Sequence, residues 1–171
     1  MLPIRLARAD EAALYAEFAR DRFVATYASH YEPERFARHL ATAFGEAVQR
    51  AELADPRLDT LVAEGPGGLW AAYAALRHGD APVCVVAERP LEVHRFYVHE
   101  AWHGRGLASA LMDACAAHAA RQDRDALWLC VWEENRRAQR FYAKKGFVPA
   151  GNHPFLLGGI ADNDIVMARP V

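Results

Sequence analysis

The stretch LEVHRFYVHEAWHGRGLASALMDACAAHAARQ, residues 91–122, decides the fold. Its first eight residues alternate like a β-strand, and its last part has apolar residues at helical spacing. A loop with two glycines joins them. Backbone N–H groups in the first turn of a helix lack an intrahelical partner, and the helix dipole adds partial positive charge there. This order of elements therefore predicts an anion site, and the first hypothesis is a phosphate-bearing ligand.

The residues of the loop strengthen this hypothesis. Gly104 and Gly106 allow backbone conformations that a Cβ would forbid, and they let a ligand approach the main chain closely. Arg105 adds a fixed positive charge between them. A tight strand-to-helix turn with a solvated arginine would explain the same residues, because a Gly-x-Gly motif is not specific on its own.

The composition indicates one globular domain. The chain has 171 residues, of which 53% are hydrophobic, so residues 1–171 are predicted to form a single domain with a substantial core. No run of about 18 uncharged apolar residues occurs, which predicts no membrane span. The first residues, MLPIRLARADEAAL, carry charges where a signal peptide needs its apolar stretch. We therefore expect a cytoplasmic protein.

The charge argues against a nucleic-acid-binding protein, and the cysteine content argues against a disulfide-rich or zinc-binding one. The formal net charge of −2 argues against a nucleic-acid partner, which would require a strong basic excess. The three cysteines are odd in number and lack the paired spacing of a zinc site or a disulfide framework, so we expect them to be reduced. The histidines His94, His99 and His103 lie along a strand end and a loop with no shared face, so no metal is predicted.

The N-terminal third predicts one strand and two helices. Residues 3–8 alternate apolar and charged positions and predict a short strand. Asp10 is expected to cap the first helix. The second helix is expected to begin near Pro33, to run towards Leu53 and to end before Pro56.

The middle of the chain predicts an antiparallel hairpin. Residues 59–64 and 69–76 are apolar runs joined by Gly-Pro-Gly-Gly, a strong turn signal. Residues 77–90 form a long connection with an apolar patch. This connection is either a substrate-side loop or an edge segment that lies on the core.

The C-terminal part returns the chain to the sheet. Residues 126–132, ALWLCVW, predict a strand that is buried on both faces. A helix separates this strand from residues 91–98, so the two are expected to be parallel neighbours. A helix over 135–145 should end at Gly146. Two further strands are predicted. One begins at residues 147–149, and the other includes residues 165–168.

The motif WHGRGLASAL, the buried strand after it, and Asn135 followed by FYAKKGF resemble the acetyl-CoA site of the GNAT superfamily of N-acetyltransferases. In that family a Gln/Arg-x-x-Gly-x-Gly/Ala loop at a helix start binds the pyrophosphate. The loop here departs from the pattern because His103 is its first residue. The resemblance implies an α/β (α+β) fold with a mixed, mostly antiparallel sheet of about six or seven strands. It also implies a splay between strands four and five and about four flanking helices.

A narrower resemblance concerns one branch of the superfamily. RFVATYASHYEPERF at 22–36, LADPRLDTLVAE at 53–64 and GFVPAGNHPFLLGG at 146–159 are similar to the branch that includes polyamine acetyltransferases of the PaiA type. The hairpin departs from many members, since Ala71 and Ala72 occupy the place of a glycine before an aromatic residue.

A dinucleotide-binding Rossmann unit is the competing interpretation of the glycine loop. Five residues, His99–His103, separate the strand from Gly104, whereas the dinucleotide fingerprint turns at once from strand to glycine. Ser109 also stands where the third glycine or alanine of that fingerprint belongs. Both features favour the acetyltransferase.

The resemblance implies acetyl-CoA as the acyl donor and assigns residues to it. The backbone of strand residues 96–98 pairs with pantetheine, the loop binds pyrophosphate, and an asparagine bonds the pantetheine arm. The implied set is Phe96, Tyr97, Val98, His103, Gly104, Arg105, Gly106, Leu107, Ala108, Ser109 and Asn135. Tyr142 is the implied general acid for the departing thiolate, and its alternative role is aromatic packing beside Phe141.

The attacking amine also needs a base, since a primary amine is almost wholly protonated at pH 7. Some members carry a glutamate where Glu92 stands. Strand alternation predicts that Glu92 and His94 share a face with Phe96 and Val98, where either could accept the proton through a water. Pairing of Glu92 with a surface arginine is the alternative.

The acceptor itself remains open at this stage. The prediction is direct transfer in a ternary complex to the primary amine of a polyamine or another small amine. The alternatives are a protein or peptide N-acetyltransferase and an acyl-CoA-binding sensor without turnover. A polyamine would require acidic residues around the mouth of the site, and those available are Glu32, Glu34, Glu133, Glu134, Asp162 and Asp164, although exposed acids more often form an ordinary solvated face. Arg22, Arg136 and Arg137 could equally hold a carboxylate or the adenosine phosphates. Either a monomer or a homodimer is compatible with the sequence.

Overall fold

The computed structural model describes residues 2–157 and 160–171, without the side chains of 155–157 and 160–162. The strands are β1 (Ile4–Leu6), β2 (Leu58–Glu64), β3 (Trp70–His78), β4 (Pro90–Val98), β5 (Ala126–Trp132), β6 (Val148–Leu157) and β7 (Ile160–Pro170). The α-helices are α1 (Ala12–Tyr27), α2 (Pro33–Ala43), α3 (Glu46–Ala54), α4 (Leu107–Arg121) and α5 (Arg136–Lys144). None of the described helices combines the length and hydropathy that crossing a bilayer requires.

The seven strands form one sheet in the order β1-β2-β3-β4-β5-β7-β6. Every neighbouring pair is antiparallel except β4 and β5, which are parallel and joined by α4. Only Pro90–Glu92 pair with Ala126–Trp128, although β4 continues to Val98. The two central strands therefore separate after three residues, and the predicted mixed, splayed sheet is confirmed.

Two cores lie on opposite faces of this sheet. On one face α4 and α5 pack against Leu91, Val93 and Leu129, and Leu111 and Met112 of α4 are fully buried there. On the other face helices α1, α2 and α3 cover a core rich in aromatic residues, namely Tyr15, Phe18, Phe23, Phe36, Phe44, Trp70 and Tyr73. The gap between β4 and β5 therefore lies between a face covered by α4 and α5 and a face covered by α1, α2 and α3.

An irregularity in β4 corrects the predicted alternation. Val93 pairs with Leu76 and Arg95 pairs with Ala75, so His94 is an extra residue without a partner across β3. Such a bulge moves every later side chain of the strand to the opposite face. Phe96 therefore joins Leu91 and Val93 in the core beneath α4, whereas the sequence pattern placed it on the face of Glu92.

The predicted second helix is in fact two helices. The chain leaves helical geometry at Phe44, and α3 begins after Gly45. The buried Gln49 side chain satisfies the backbone at this break. Its Oε1 accepts from the Gly45 N–H at 2.8 Å, and its Nε2 donates to the Ala43 carbonyl at 3.1 Å. The amide thus replaces the backbone bonds that a continuous helix would have made.

Glu11, and not Asp10, organises the start of α1. The Glu11 carboxylate is buried and accepts from the Arg5 guanidinium at 2.7 and 2.9 Å. It also accepts from the Arg8 backbone N–H at 2.7 Å and from the Trp70 indole at 3.3 Å. The predicted Asp10 cap is wrong, since that side chain is 79% exposed and lies in the short 3-10 turn before the helix.

Replacing Glu11 with glutamine should lower the free energy of unfolding by about 3 kcal/mol at pH 7. Hydrogen bonds from Arg5 lower the pKa of Glu11 to about 2. Because this pKa is below that of the unfolded chain, the stabilisation is present above about pH 4.5 and is lost as the pH falls towards 2. Urea titrations at several pH values measure it, with Asp10→Asn as the exposed control. An equal loss at pH 7 and pH 2 would contradict the assignment.

Candidate active site

A cleft of about 1260 Å³ occupies the gap between β4 and β5. It reaches from one face of the sheet to the other, because residues of both cores line it. Phe96, Val98, Phe141 and Tyr142 line it from the face of α4 and α5. Tyr27, Tyr31, Glu92, His94, Trp132 and Asp164 are also part of its lining. The splay of the sheet has therefore produced a passage through it.

The backbone of β4 presents a free edge to this passage. The His99 N–H donates to the Ala71 carbonyl of β3 at 2.9 Å. Because successive peptide groups alternate along a strand, the N–H and C=O groups of Phe96 and Val98 point away from β3 and into the gap. The Tyr97 backbone points towards β3, and its ring lies in the other core. Of the three residues predicted to pair with pantetheine, two thus offer backbone groups.

His103 ties the loop to this edge. Its Nε2 is 3.0 Å from the Val98 carbonyl oxygen. Consequently this carbonyl already has a partner, while the Phe96 N–H and C=O and the Val98 N–H still face the gap. His103 replaces the Gln or Arg of the family pattern, and in this structure it acts on the protein backbone.

The glycine loop has the geometry of an anion cradle. Gly104 and Gly106 have φ values of 72° and 80°, in the left-handed region that strongly favours glycine. Gly106 is the N-cap of α4, and its carbonyl accepts from the Ala110 N–H at 3.0 Å. The N–H groups of the first helical turn, residues 107–109, have no such partner within the helix. Of the loop and this first turn, His103 and Ala108 line the cleft.

Two cationic side chains lie near this helix start. Arg105 is exposed, and its guanidinium lies 5.7 Å from the Trp102 ring centroid. Lys145 reaches α4 from the end of α5, with its Nζ 3.0 Å from Ser109 Oγ and 2.5 Å from Asp113 Oδ1. Sequence reasoning missed Lys145, although it lies within the FYAKKGF segment that supported the resemblance. Its ammonium group is paired with Asp113, so it adds little net positive charge at the loop.

Tyr142 enters the cleft from the side of α5. Its ring packs edge-on against Phe96, Phe141 and Phe147, with centroids 6.2, 5.4 and 5.8 Å apart. The side chain is 9% exposed, and burial raises its pKa well above that of an ordinary tyrosine. The phenol is therefore neutral at physiological pH and able to donate a proton or a hydrogen bond.

Asn135 is the N-cap residue of α5. Its Oδ1 accepts from the Ala138 N–H at 3.1 Å and so caps α5. Asn135 also lines the cleft. Since the oxygen is engaged in the cap, any bond from this side chain to a ligand has to come from the Nδ2 amino group.

Glu92 and His94 lie together beside Arg77 at the closed end of the gap. The Arg77 guanidinium donates to the Glu92 carboxylate at 2.8 and 3.3 Å and also contacts His94 Nδ1. Burial raises the pKa of Glu92, but the contacts with His94 and Arg77 outweigh it, so the net shift is downwards. Burial lowers the pKa of His94. At neutral pH the cleft therefore holds a carboxylate next to a neutral imidazole.

The connection after β3 contacts both the cleft and the core. Gly79 and Asp80 line the cleft, as a substrate-side loop would. Val85 is buried against Trp128 and Val166, as an edge segment on the core would be. Among the described residues, no group of three or more His, Cys, Asp or Glu is arranged to hold a metal ion.

The comparisons with known proteins agree with this geometry. A model of the Acetyltransferase (GNAT) family matches residues 13–147. Uncharacterized N-acetyltransferases from Mycobacterium bovis and Mycobacterium tuberculosis are 38% identical over 137 residues, which is 80% of this chain and 83% of theirs. The chain therefore belongs to the GNAT family of acetyltransferases, and the predicted enzyme class is confirmed.

Solved structures show the same fold. A PaiA N-acetyltransferase from Thermoplasma acidophilum in complex with coenzyme A superposes with a TM-score of 0.77 at 16% identity, covering 100% of this chain and 99% of the other. An acetyltransferase from Salmonella typhimurium with acetyl-CoA gives 0.74 at 18% identity, covering 99% and 94%. At these identities the likeness concerns the fold alone.

Proposed function

We propose that this chain transfers the acetyl group of acetyl-CoA to the primary amine of a small molecule, a polyamine or another small amine, by direct attack in a ternary complex. The observation that carries this proposal is the passage through the sheet between β4 and β5. The donor enters from the face of α4 and α5, and the acceptor enters from the face of α1 and α2. The two substrates then meet in the gap without an intermediate acyl-enzyme.

The donor has a continuous set of backbone partners along one side. The free edge at Phe96 and Val98 suits the amides of pantetheine, which would pair with it like an added strand. The cradle at Gly104 and Gly106 suits the pyrophosphate, as do the N–H groups of residues 107–109 and the charge of Arg105. The Nδ2 of Asn135 can donate to the arm between them.

The chemistry requires a base for the amine and an acid for the thiolate. Glu92 is the charged member of the Glu92–His94 pair, and we assign it the role of accepting the amine proton through a water. The C–N bond then forms at the thioester carbon as the C–S bond breaks, and the nitrogen releases its remaining excess proton to water. Tyr142 donates its phenolic proton to the departing sulfur, or a hydrogen bond that stabilises it.

Cys130 also lines the cleft, and its state supports direct transfer. Burial raises the pKa of the Cys130 thiol to about 12. The thiolate is the nucleophilic form, so at neutral pH this thiol is almost wholly in its unreactive state. An acetyl-cysteine intermediate is therefore disfavoured.

The test is to mix the purified protein with acetyl-CoA and a panel of amines, and to follow free thiol. The panel contains diamines, spermidine, monoamines, amino acids and peptides. Thiol release with small amines is the expected result, and it should fall by about 10- to 100-fold in Glu92→Gln but not in the exposed control Glu88→Gln. Thiol release with peptides alone would indicate a peptide acetyltransferase instead. Tight binding of acetyl-CoA without any thiol release would indicate an acyl-CoA-binding sensor and contradict the proposed transfer.

A further inference from the structure

Arg77 stands directly across the β3–β4 ladder from Glu92, and it contacts both members of the Glu92–His94 pair. Its Nε donates to Glu92 Oε2 at 2.8 Å, and its Nη2 donates to Glu92 Oε1 at 3.3 Å. The same Nη2 also contacts His94 Nδ1. His94 is the extra residue of the β4 bulge, and bulges beside active sites often redirect a side chain in this way. One guanidinium therefore contacts three acceptor atoms on two candidate bases.

The contact at Nδ1 decides where the proton of His94 lies. A guanidinium in a protein stays protonated and has no acceptor atom, so the ring nitrogen that it contacts has to be the acceptor. A neutral imidazole carries its proton on one nitrogen only, and in His94 this nitrogen is then Nε2. Glu92 Oε1 competes only weakly for Nδ1, because it lies 3.4 Å away. Neutral His94 thus has no free lone pair for a further proton.

The surroundings keep this ring neutral. Burial lowers the pKa of His94, Glu92 acts in the opposite direction, and the charges of Arg95 on β4 and Arg77 on β3 lower it further, so the net shift is downwards. On β5 the Cys130 thiol lies within the field of Glu92. Burial raises the pKa of this thiol to about 12, so it adds no charge at neutral pH. Among these groups, Glu92 is the one that is both ionised and an acceptor.

From this geometry we infer that Arg77 is a positioning residue for the proton transfer: it confines His94 to the Nε2–H tautomer and so reserves the role of proton acceptor for Glu92. An ionised carboxylate has about four acceptor sites, and Arg77 occupies two of those on Glu92. A proton of the substrate ammonium group passes through a water to one of the remaining sites, and Glu92 later returns it to solvent. His94 acts as a hydrogen-bond donor through Nε2–H. This inference rests on the proposed function and deepens it.

The first experiment needs no turnover. Nuclear magnetic resonance spectra of protein with ¹⁵N-labelled histidine rings distinguish the two tautomers, and His94→Gln identifies the His94 signals. We expect the Nε2–H tautomer in the wild type at neutral pH. Arg77→Met removes the charge and keeps an apolar stem, so His94 should then titrate at a higher pH than in the wild type. An Nδ1–H tautomer in the wild type, or His94 signals and titration that Arg77→Met leaves unchanged, would overturn the inference.

The second experiment is a double-mutant cycle on acetyl transfer. Arg77→Met alone should lower kcat by about 10-fold and leave the KM for acetyl-CoA unchanged. Glu92→Gln should cost about 10- to 100-fold in the wild-type background. In the Arg77→Met background it should cost less than about 5-fold, because the freed Nδ1 of His94 is then able to accept the proton. An equal cost in both backgrounds would overturn the inference.

Arg57→Met is the matched control. Arg57 also donates to a carboxylate through Nε and Nη2, at 3.1 and 2.8 Å from Asp55, but it is 76% exposed and lies in the turn before β2. This variant should leave both the His94 tautomer and kcat unchanged. Thermal unfolding tests whether each variant is folded, and Arg77→Gln replaces Arg77→Met if the latter is not. Absence of thiol release from the wild type with every amine would reject the proposed transfer, whereas the spectra would still decide what Arg77 does to His94.

Discussion

Gly106→Val should weaken acetyl-CoA binding by more than about 100-fold, or abolish it. Gly106 has a φ of 80° at the N-cap of α4, a conformation that a β-branched residue adopts only at a cost of about 1–3 kcal/mol. A valine would change the backbone conformation at this position and so reorient the N–H groups of the first helical turn. A Cβ at this glycine points into open space, where the pyrophosphate is proposed to lie. Calorimetry with CoA measures the change.

The matched control is Gly67→Val in the turn between β2 and β3. Gly67 has a φ of 72° and is equally free of neighbours within 4 Å, but it belongs to the β2–β3 turn and not to the start of α4. A valine there carries the same kind of backbone strain and should lower stability while the affinity for CoA stays unchanged. If Gly106→Val bound CoA as tightly as the wild type, the pyrophosphate would have to lie elsewhere.

Tyr142→Phe should reduce the rate of acetyl transfer by about 10- to 10⁴-fold, with little change in the affinity for acetyl-CoA. The substitution removes one oxygen and keeps the ring that packs against Phe96 and Phe147. The loss should fall on kcat, because a hydrogen bond to the departing sulfur is needed mainly in the transition state. Since burial raises the pKa of Tyr142, ionisation of this phenol should not limit activity in ordinary alkaline buffers.

Tyr73→Phe provides the control for this experiment. Tyr73 is fully buried in the other core, and its hydroxyl has no hydrogen-bond partner among the described residues. Removing that hydroxyl should leave the rate unchanged and should not destabilise the fold. A Tyr142→Phe enzyme with the wild-type rate would exclude this residue from the mechanism and leave it a packing role.

Local patterns were sufficient to predict much of the fold. The apolar run over residues 126–132 and the turn at Gly65–Gly68 lie where the structure has β5 and the β2–β3 hairpin. The glycine loop and α4 were also predictable, because residue types with special backbone freedom mark such junctions. These features depend on neighbours within a few residues in the sequence.

Other features depend on contacts that a local pattern does not contain. The bulge at His94 arises in the pairing of β4 with β3, and it moved Phe96 to the other core. The break between α2 and α3 depends on how the buried Gln49 amide folds back on the chain. The same reasoning explains why Lys145 was missed, since its contacts with Ser109 and Asp113 join separate segments that only the tertiary fold brings together.

The central claim is direct transfer through the gap between β4 and β5, and initial-velocity kinetics with both substrates varied tests it most directly. Reciprocal plots for acetyl-CoA and 1,5-diaminopentane should intersect, and mass spectrometry of protein incubated with acetyl-CoA alone should show no acetylated chain. Parallel lines, together with an acetyl group on Cys130 that a diamine then removes, would contradict the account.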